Sequence, residues 1–429
     1  MSTAKLQIAE RARKFKGEAL HNLHHFIDTA MLQRSYKQLN KKSAGGIDGK
    51  TWHEYGLEFP DRCESLLGEF KSGRYKAPAI RRVYIPKDKY SQRPLGIPTI
   101  EDKVLQASVR QVIEPIYEED FKPFSFGFRP GCSQHQAIDY MFKKVSFNDM
   151  HYIIDADLKN YFGSINHGFL REFLDKRVKD GIIRRMIDKW LKAGVLETGN
   201  ISYPKEGTPQ GGIISPILSN IYLHYVLDEW FSEQIQPLIK GKSFIVRFAD
   251  DFVLGFSDKS DAQRVMEVLP KRFAKYELTL HPEKTKLIDL NSQRGESYRS
   301  FDFLGFTHYL GKSNKGFKVL KRKTSSKRLT RANTNISDFI KLNRHMKLRD
   351  LIAAINVKLR GHYLYYGITF NSNSIAKFYF HVTRSLFKWL NRRGGKRKWT
   401  WETFVKLIKE WTPLLRPCIY HSYIKSLRI

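Results

Sequence analysis

Cysteine is scarce. The three in the chain, Cys63, Cys132 and Cys418, are far apart and form no Cys-x-x-Cys pair of the kind that zinc ribbons, knuckles and fingers require. That pattern speaks against a structural zinc and leaves buried structural thiols in a reducing compartment as the expectation. Acid is short as well: 43 Asp and Glu stand against 75 Lys and Arg, a formal net charge of +32. Such an excess repels itself unless a polyanion is bound, and nucleic acid is the polyanion expected. Long apolar runs are missing. No stretch reaches the roughly 18 apolar residues of a membrane span, and there is no signal peptide and no amphipathic anchor beside the charge. The expected location is the cytoplasm, away from membranes. Internal repeats and low-complexity tracts are also lacking.

What remains is ample core material. With 41% hydrophobic and 13% aromatic residues over 429 positions, two or three units can each bury an apolar core, so the polar average reflects a charged surface rather than disorder. The first stretch, to about Asp28, carries Arg11, Arg13, Lys14 and Lys16 and suggests a basic helical extension. A second helix is expected from about Thr29 to Asn40, ended by the basic, glycine-rich residues 41–49. Alternation from Arg81 to Ile97 predicts a β-hairpin with Lys87, Lys89 and Arg93 around its turn. Between Tyr152 and His308 short apolar strands alternate with helical stretches, the pattern of an α+β domain on a small sheet. After about Gly311 the chain looks helical and carries two cationic blocks. One is Lys321, Arg322, Lys323, Lys327, Arg328 and Arg331; the other is Lys388, Arg392, Arg393, Lys396, Arg397 and Lys398, interleaved with Trp389 and Trp399. Aromatics beside cations favour stacking and phosphate contacts over a merely solvated face.

The middle third carries the chemistry. Residues 244–256 read as a buried hairpin, two apolar runs flanking Asp250-Asp251 at the tip. Adjacent carboxylates at a tight turn repel unless a divalent cation neutralises them, and phosphoryl transfer by the two-metal route needs such ligands. Residues 151–162 supply a third carboxylate. A strand there puts Asp155 and Asp157 on one face, and Asp157 sits where the strand gives way to a helix. Asp155 is read as a backbone hydrogen-bonding residue.

These two segments, in this order, resemble the catalytic motifs of reverse transcriptases, specifically group II intron reverse transcriptase/maturases. The resemblance extends to Arg82-Val83-Tyr84-Ile85-Pro86-Lys87 with Arg93-Pro94-Leu95-Gly96-Ile97-Pro98, and to Ser125-Phe126-Gly127-Phe128-Arg129-Pro130-Gly131. It continues through Gly207-Thr208-Pro209-Gln210-Gly211-Gly212, Leu280-His281-Pro282-Glu283-Lys284-Thr285-Lys286 and Phe303-Leu304-Gly305-Phe306. It implies an α+β right-hand polymerase. Residues 1–60 would form a basic extension, 61–150 the fingers, 151–310 the palm, and 311–429 a helical thumb or maturase domain with a basic tail. It implies RNA-directed DNA synthesis from a DNA or RNA primer on an RNA template, with maturase-assisted intron splicing and mobility. Two Mg2+ ions, for which Mn2+ could substitute, would be held by Asp157, Asp250 and Asp251.

Further roles follow from the same resemblance. Lys87 and Arg93 would meet the dNTP triphosphate, Arg binding two oxygens at once. Phe162 would collide with a ribose 2′-hydroxyl, Gln210 would line the nucleotide pocket, and Lys284 would offset charge or protonate departing pyrophosphate. From the cationic blocks themselves, Lys321, Arg322, Lys323, Lys327 and Arg328, with Arg392, Arg393, Lys396, Arg397 and Lys398, are expected to grip nucleic acid. One departure is Phe248, where most of the family has Tyr; the ring keeps its packing surface and loses a hydroxyl. The Cys pairs and His of an endonuclease domain are absent, so none is expected. Two other readings compete: a domesticated relative acting in phage defence, DNA repair or spacer acquisition, and an RNA-binding splicing factor with a vestigial polymerase site.

Overall fold

A computed structural model describes residues 3–86, 91–197, 200–203, 206–208, 211–292, 299–394, 399–411 and 413–423. Helix α1 (Thr3–Lys14) opens the chain, and α2 (Thr29–Gln38) begins where the Asp28 carboxylate accepts the Met31 N–H at 2.6 Å. The helix expected over 29–40 thus ends two residues early. The glycine-rich loop after it is packed tightly: a methyl group on Gly46 would stand 2.5 Å from the Thr99 nitrogen. Buried Lys103 donates there to Ser43 Oγ at 2.8 Å and to the Ala44 carbonyl at 2.9 Å, and burial lowers its pKa to about 8.

A reciprocal Thr51–Glu54 cap starts α3 (Trp52–Lys71). The hairpin expected at 81–97 is formed by β1 (Ile80–Pro86) and β2 (Gln92–Ile97), antiparallel with Val83 opposite Leu95 and Ile85 opposite Arg93. Then come α4 (Ile100–Glu118), α5 (Gln134–Asn148), β3 (Tyr152–Ala156), α6 (His167–Asp175), α7 (Gly181–Leu191), β4 (Val195–Glu197) and β5 (Asn200–Ser202). Helix α8 (Ser215–Leu223) runs on through π-helical segments at His224–Asp228 and Trp230–Ile235. After it lie β6 (Ser243–Phe248), β7 (Asp251–Phe256), α9 (Lys259–Ala274) and β8 (Lys286–Asp289). Strands β9 (Ser300–Phe303), β10 (Phe306–Lys312) and β11 (Lys318–Thr324) precede the helices α10 (Ser326–Leu342), α11 (Leu348–Tyr366), α12 (Ser372–Leu390) and α13 (Trp401–Lys406). The sheets have the strand orders β2-β1-β4-β5, β6-β7-β3-β8 and β11-β10-β9, so the class is α+β. No described helix is long and apolar enough to cross a membrane.

The chain divides into two compact units, one of residues 1–137, 156–254 and 258–286, the other of 138–155, 255–257 and 287–429. In the first, α4 is buried along most of its length, and polar groups on it are satisfied internally. Asp102 accepts from Trp190 Nε1 at 2.6 Å, from Gln106 Nε2 at 2.9 Å and from Tyr75 at 3.4 Å. Burial nevertheless pushes its pKa up to about 6. In the second unit, α10, α11 and α12 pack Ile336, Ile340, Leu351, Leu359, Phe378 and Val382 into one apolar core. Among the cysteines, Cys63 is buried, Cys132 half-buried and Cys418 exposed, so the expectation of buried thiols holds for Cys63 only. Cys418 lies in the extended C-terminal segment rather than in the helical core.

Arg177 is a buried anchor of the N-terminal extension, beside the Arg13–Glu119 ion pair and the Leu23 and His24 N–H groups held by Asp180. Arg177, 2% exposed, donates to the carbonyls of Ala12 (2.9 Å), Phe15 (2.7 Å) and Glu18 (2.5 Å) and to Asp120 (2.7 Å). Arg177→Leu strands three carbonyls and a half-buried carboxylate, which should cost about 3–5 kcal/mol. The expected outcome is a lower melting temperature with loss of hydrogen-exchange protection in α1 first; unchanged protection over residues 3–14 would contradict the anchoring role.

Candidate active site

Apolar residues drive β6 and β7 inward: Phe244, Ile245, Val246, Phe252, Val253 and Leu254 are all buried. The turn between them leaves Asp250 half-buried and Asp251 exposed, with Ala249 at a φ of 59°. This conformation is uncommon for a residue with a Cβ, and a buried charge network secures it. Arg247, fully buried, makes a two-pronged pair with Asp228 at 2.8 and 2.6 Å and donates to the Ala249 carbonyl at 2.9 Å and to Asn220 Oδ1 at 3.0 Å. Asn220 in turn donates to the Gly127 carbonyl at 2.7 Å. Gly127 must be glycine in this arrangement, since a methyl group there would lie 2.1 Å from the Ala249 nitrogen. Sequence reasoning passed over Arg247, Asp228 and Asn220. The available signal was an amide and a carboxylate inside the largely apolar run from Ile213 to Phe231.

Asp157 lies one residue beyond β3. Its carbonyl accepts the His281 N–H at 2.7 Å, the Lys159 N–H reaches the Thr279 carbonyl at 2.8 Å, and Leu158 bridges Leu280. This pairing brings the turn at 281–285 alongside, and Lys284 Nζ lies 2.5 Å from Asp157 Oδ2. Both side chains are substantially solvated, so the ion pair is screened and its value is positional. Tyr161, four residues on, is buried and donates to the Ser219 carbonyl at 2.6 Å. Burial raises its pKa far above the usual phenol range, Arg247 opposes and Asp250 adds to the rise. Asp157, Lys284 and the Asp250-Asp251 turn therefore belong to one compact unit.

A second set of contacts gathers three separate motifs. The Thr208 N–H donates to the Phe162 carbonyl and the Gly207 N–H to the Ile165 carbonyl, both at 2.8 Å, while the His167 ring meets the Gly207 carbonyl at 2.7 Å. Gly211, at a φ of 120°, approaches β2 so closely that a methyl group would stand 2.4 Å from the Gly96 carbonyl. Beyond it, the Ile213 N–H donates to Gln106 Oε1 at 2.8 Å, and Gln106 rests on Asp102. Phe162 is half-buried beside the Tyr161 ring, and Arg93 is exposed on β2. Lys87 and Gln210 lie outside the described residues. Gln106 gave no sequence signal, being one polar residue in an amphipathic helix.

The cations of the second unit divide. Lys327, Arg328 and Arg392 are exposed, and Lys321 and Lys323 are half-buried over the rings of Phe370 and Tyr309. Arg322 was expected among the nucleic-acid contacts but is fully buried, its guanidinium 5.1 Å from the Phe142 ring and 4.8 Å from the Tyr423 ring. The inward face of β11 takes it, because strand residues alternate. Arg393 donates to the Met346 carbonyl at 3.0 Å. Lys396, Arg397 and Lys398 lie outside the described residues. The same unit carries a groove of about 920 Å³ lined by Lys377, Phe380, Arg384, Lys388, Trp389 and Trp401, of which Lys377, Phe380 and Arg384 escaped sequence reasoning.

Asp157, Asp250 and Asp251 offer only carboxylate oxygens, the donor type that hard divalent cations take. Among the described residues they are not drawn into a closed ligand cluster, and Asp157 carries the Lys284 ammonium, which shows that its outward oxygen accepts positive charge. The donor set fits a divalent metal in kind.

Comparison with known proteins gives this geometry its context. Residues 85–308 match the family profile of reverse transcriptase (RNA-dependent DNA polymerase), and residues 329–407 that of the group II intron maturase-specific domain. The chain is 33% identical over 298 residues to protein YkfC of Escherichia coli strain K12, covering 61% of this chain and 74% of the relative. It is 28% identical over 428 residues to the group II intron-encoded protein LtrA of Lactococcus lactis, covering 82% and 70%. An uncharacterized 91 kDa protein in the cob intron of Schizosaccharomyces pombe is 26% identical over 429 residues, covering 84% and 52%. Membership implies an RNA template and dependence on divalent metal. The chain belongs to the reverse transcriptase family, as an RNA-directed DNA polymerase of the group II intron reverse transcriptase/maturase type.

Proposed function

We propose that Asp157, Asp250 and Asp251 hold two Mg2+ ions, replaceable by Mn2+, and that primer extension on group II intron RNA takes place at the β6–β7 turn. When bound, such ions stabilise the attacking and leaving oxygens of phosphoryl transfer. The observation that carries the reading is the contact of Lys284 with Asp157 in the unit that also holds the Asp250-Asp251 turn. Lys284 is then positioned to follow charge from the carboxylate to the departing pyrophosphate and to give it a proton. Lys87 and Arg93 on the fingers hairpin take the triphosphate. Phe162, fixed through its own carbonyl to the loop that carries Gln210, closes the space a 2′-hydroxyl would need. Extension, fingers, palm and thumb are divided near residues 60, 150 and 310. The helical thumb, with its exposed cations and the basic aromatic groove, holds intron RNA and the template–primer duplex, and supports splicing of that RNA.

Three measurements test the reading. Asp250→Asn and Asp251→Asn should each lower primer extension by about 10²–10³-fold or more while leaving the melting temperature and RNA affinity within error of wild type, because only an electrostatic ligand is removed. Wild-type rates in either variant would remove the assignment. Phe162→Val should reduce discrimination between dNTP and rNTP by at least about tenfold, measured as the ratio of kcat/KM values, since the clash with the 2′-hydroxyl is relieved; an unchanged ratio would mean that another residue selects the sugar. For the thumb, alanine at Lys327, Arg328 and Arg392 should weaken RNA binding and flatten the plot of log affinity against log salt by roughly 0.7 for each phosphate no longer neutralised. Superimposable salt lines would take this face out of the RNA path.

A further inference from the structure

Phe128 is held in a conformation its own side chain disfavours. Its φ is 59°, which for a bulky side chain is an outlier that persists only where the surroundings impose it. They do so here on both sides. The preceding segment is pinned to β6, with the Phe126 N–H donating to the Arg247 carbonyl and the Arg247 N–H to the Phe124 carbonyl, each at 2.9 Å. The Gly127 carbonyl is held by Asn220. On the far side, Arg129 is tied to Glu118, to the Ser125 carbonyl at 2.7 Å and to the Lys122 carbonyl at 2.9 Å. Burial offsets little of this strain, because the residue is 49% exposed. A turn with no further duty is served without strain by glycine. Gly127, the immediate neighbour, packs against Ala249, the residue before Asp250.

We infer that Phe128 is a stacking platform for a nucleobase of the template–primer, fixed beside the catalytic turn so that the base next to the reacting end is held in register. The inference rests on the polymerase reading of the Asp250-Asp251 turn. An aromatic face suits any of the four bases, because each has a π-face, so the contact would position the strand without reading its sequence. The rigid Arg247 network fixes the platform and the carboxylate turn to the same backbone, so a base on the ring and the reacting end are held in one frame. Phe128 is therefore a binding residue for the strand and takes no part in proton transfer.

The test uses the full chain with Phe128→Tyr, Phe128→Leu and Phe128→Gly. Template–primer affinity is measured by fluorescence anisotropy and primer extension under single-turnover conditions, with 2-aminopurine at the primer terminus as the probe of stacking. Phe128→Tyr should match wild type. Phe128→Leu and Phe128→Gly should bind template–primer about 5- to 150-fold more weakly and should lose the 2-aminopurine quenching, while Phe128→Gly melts at or above the wild-type temperature because its strain is relieved. If Phe128→Gly fails to fold, the comparison of Leu with Tyr decides: equal binding and quenching overturn the inference. Wild-type affinity and quenching in both Leu and Gly variants overturn it as well. A failure of the polymerase reading is separate and visible, since wild type itself would then extend no primer.

Discussion

The buried ion pair between Arg247 and Asp228 is the constraint on which the geometry of the Asp250-Asp251 turn depends. Both side chains are withdrawn from water, an arrangement that costs several kcal/mol per ion unless geometry and further hydrogen bonds compensate. Here they do: the guanidinium meets the carboxylate with two bonds and directs its remaining donors to the Ala249 carbonyl and Asn220. The consequence is a turn whose unusual backbone is dictated from behind. Asp250 and Asp251 can carry adjacent like charges at a solvated tip because the chain supporting them cannot relax away. Asn220 extends the same control to Gly127, so two motifs far apart in the sequence are set by one cation.

A second relay works around the glycine-rich motif at 207–212 by different chemistry. It contains one buried carboxylate and is otherwise neutral. Asp102 orders Gln106, and Gln106 accepts the N–H groups that follow the glycine-rich motif at 207–212. Phe162 and Thr208 close that motif from the other side. Backbone groups, which carry no side-chain identity, are the points of attachment on the motif: Gly207 donates through its N–H and accepts through its carbonyl, while glycine at 211 allows the close approach to β2.

This division explains what was legible in the sequence. The hairpin at 81–97, the acids at a hairpin tip and the carboxylate after a strand each follow from local rules: alternation, turn chemistry and period two. The link from Lys284 to Asp157 was legible only through resemblance, because 127 positions separate the two residues and no periodicity connects them. Arg247, Asp228, Asn220 and Gln106 were illegible for another reason. A polar residue within an apolar run is ambiguous until its partner is known, and every partner here is distant in sequence or hidden in the same helix. Arg322 shows the opposite error. It stood in an acid-free cationic block, yet the strand's alternation sends it inward between two rings, and a charge count cannot see alternation.

That error has a general physical source. The guanidinium is planar, delocalised and weakly hydrated, so it enters protein interiors where carbonyls, carboxylates or aromatic faces receive it. Arg177 meets three carbonyls, Arg247 a carboxylate and Arg322 two rings, and all three are at most 2% exposed. Ammonium is a compact, strongly hydrated charge that resists such burial; Lys103, which is buried, responds with a pKa lowered to about 8. In a chain with an excess of +32, a lysine is therefore more safely assigned to the solvated face from sequence, whereas an arginine can stand on the surface, as Arg328, Arg384 and Arg392 do, or in a joint of the fold, as Arg177 and Arg247 do. The groove lined by Lys377, Arg384 and Lys388 with Phe380, Trp389 and Trp401 carries both kinds of cation. All three cations are exposed to solvent, whereas buried Arg177 and Arg247 tie the N-terminal segment and the Asp250-Asp251 turn to the fold.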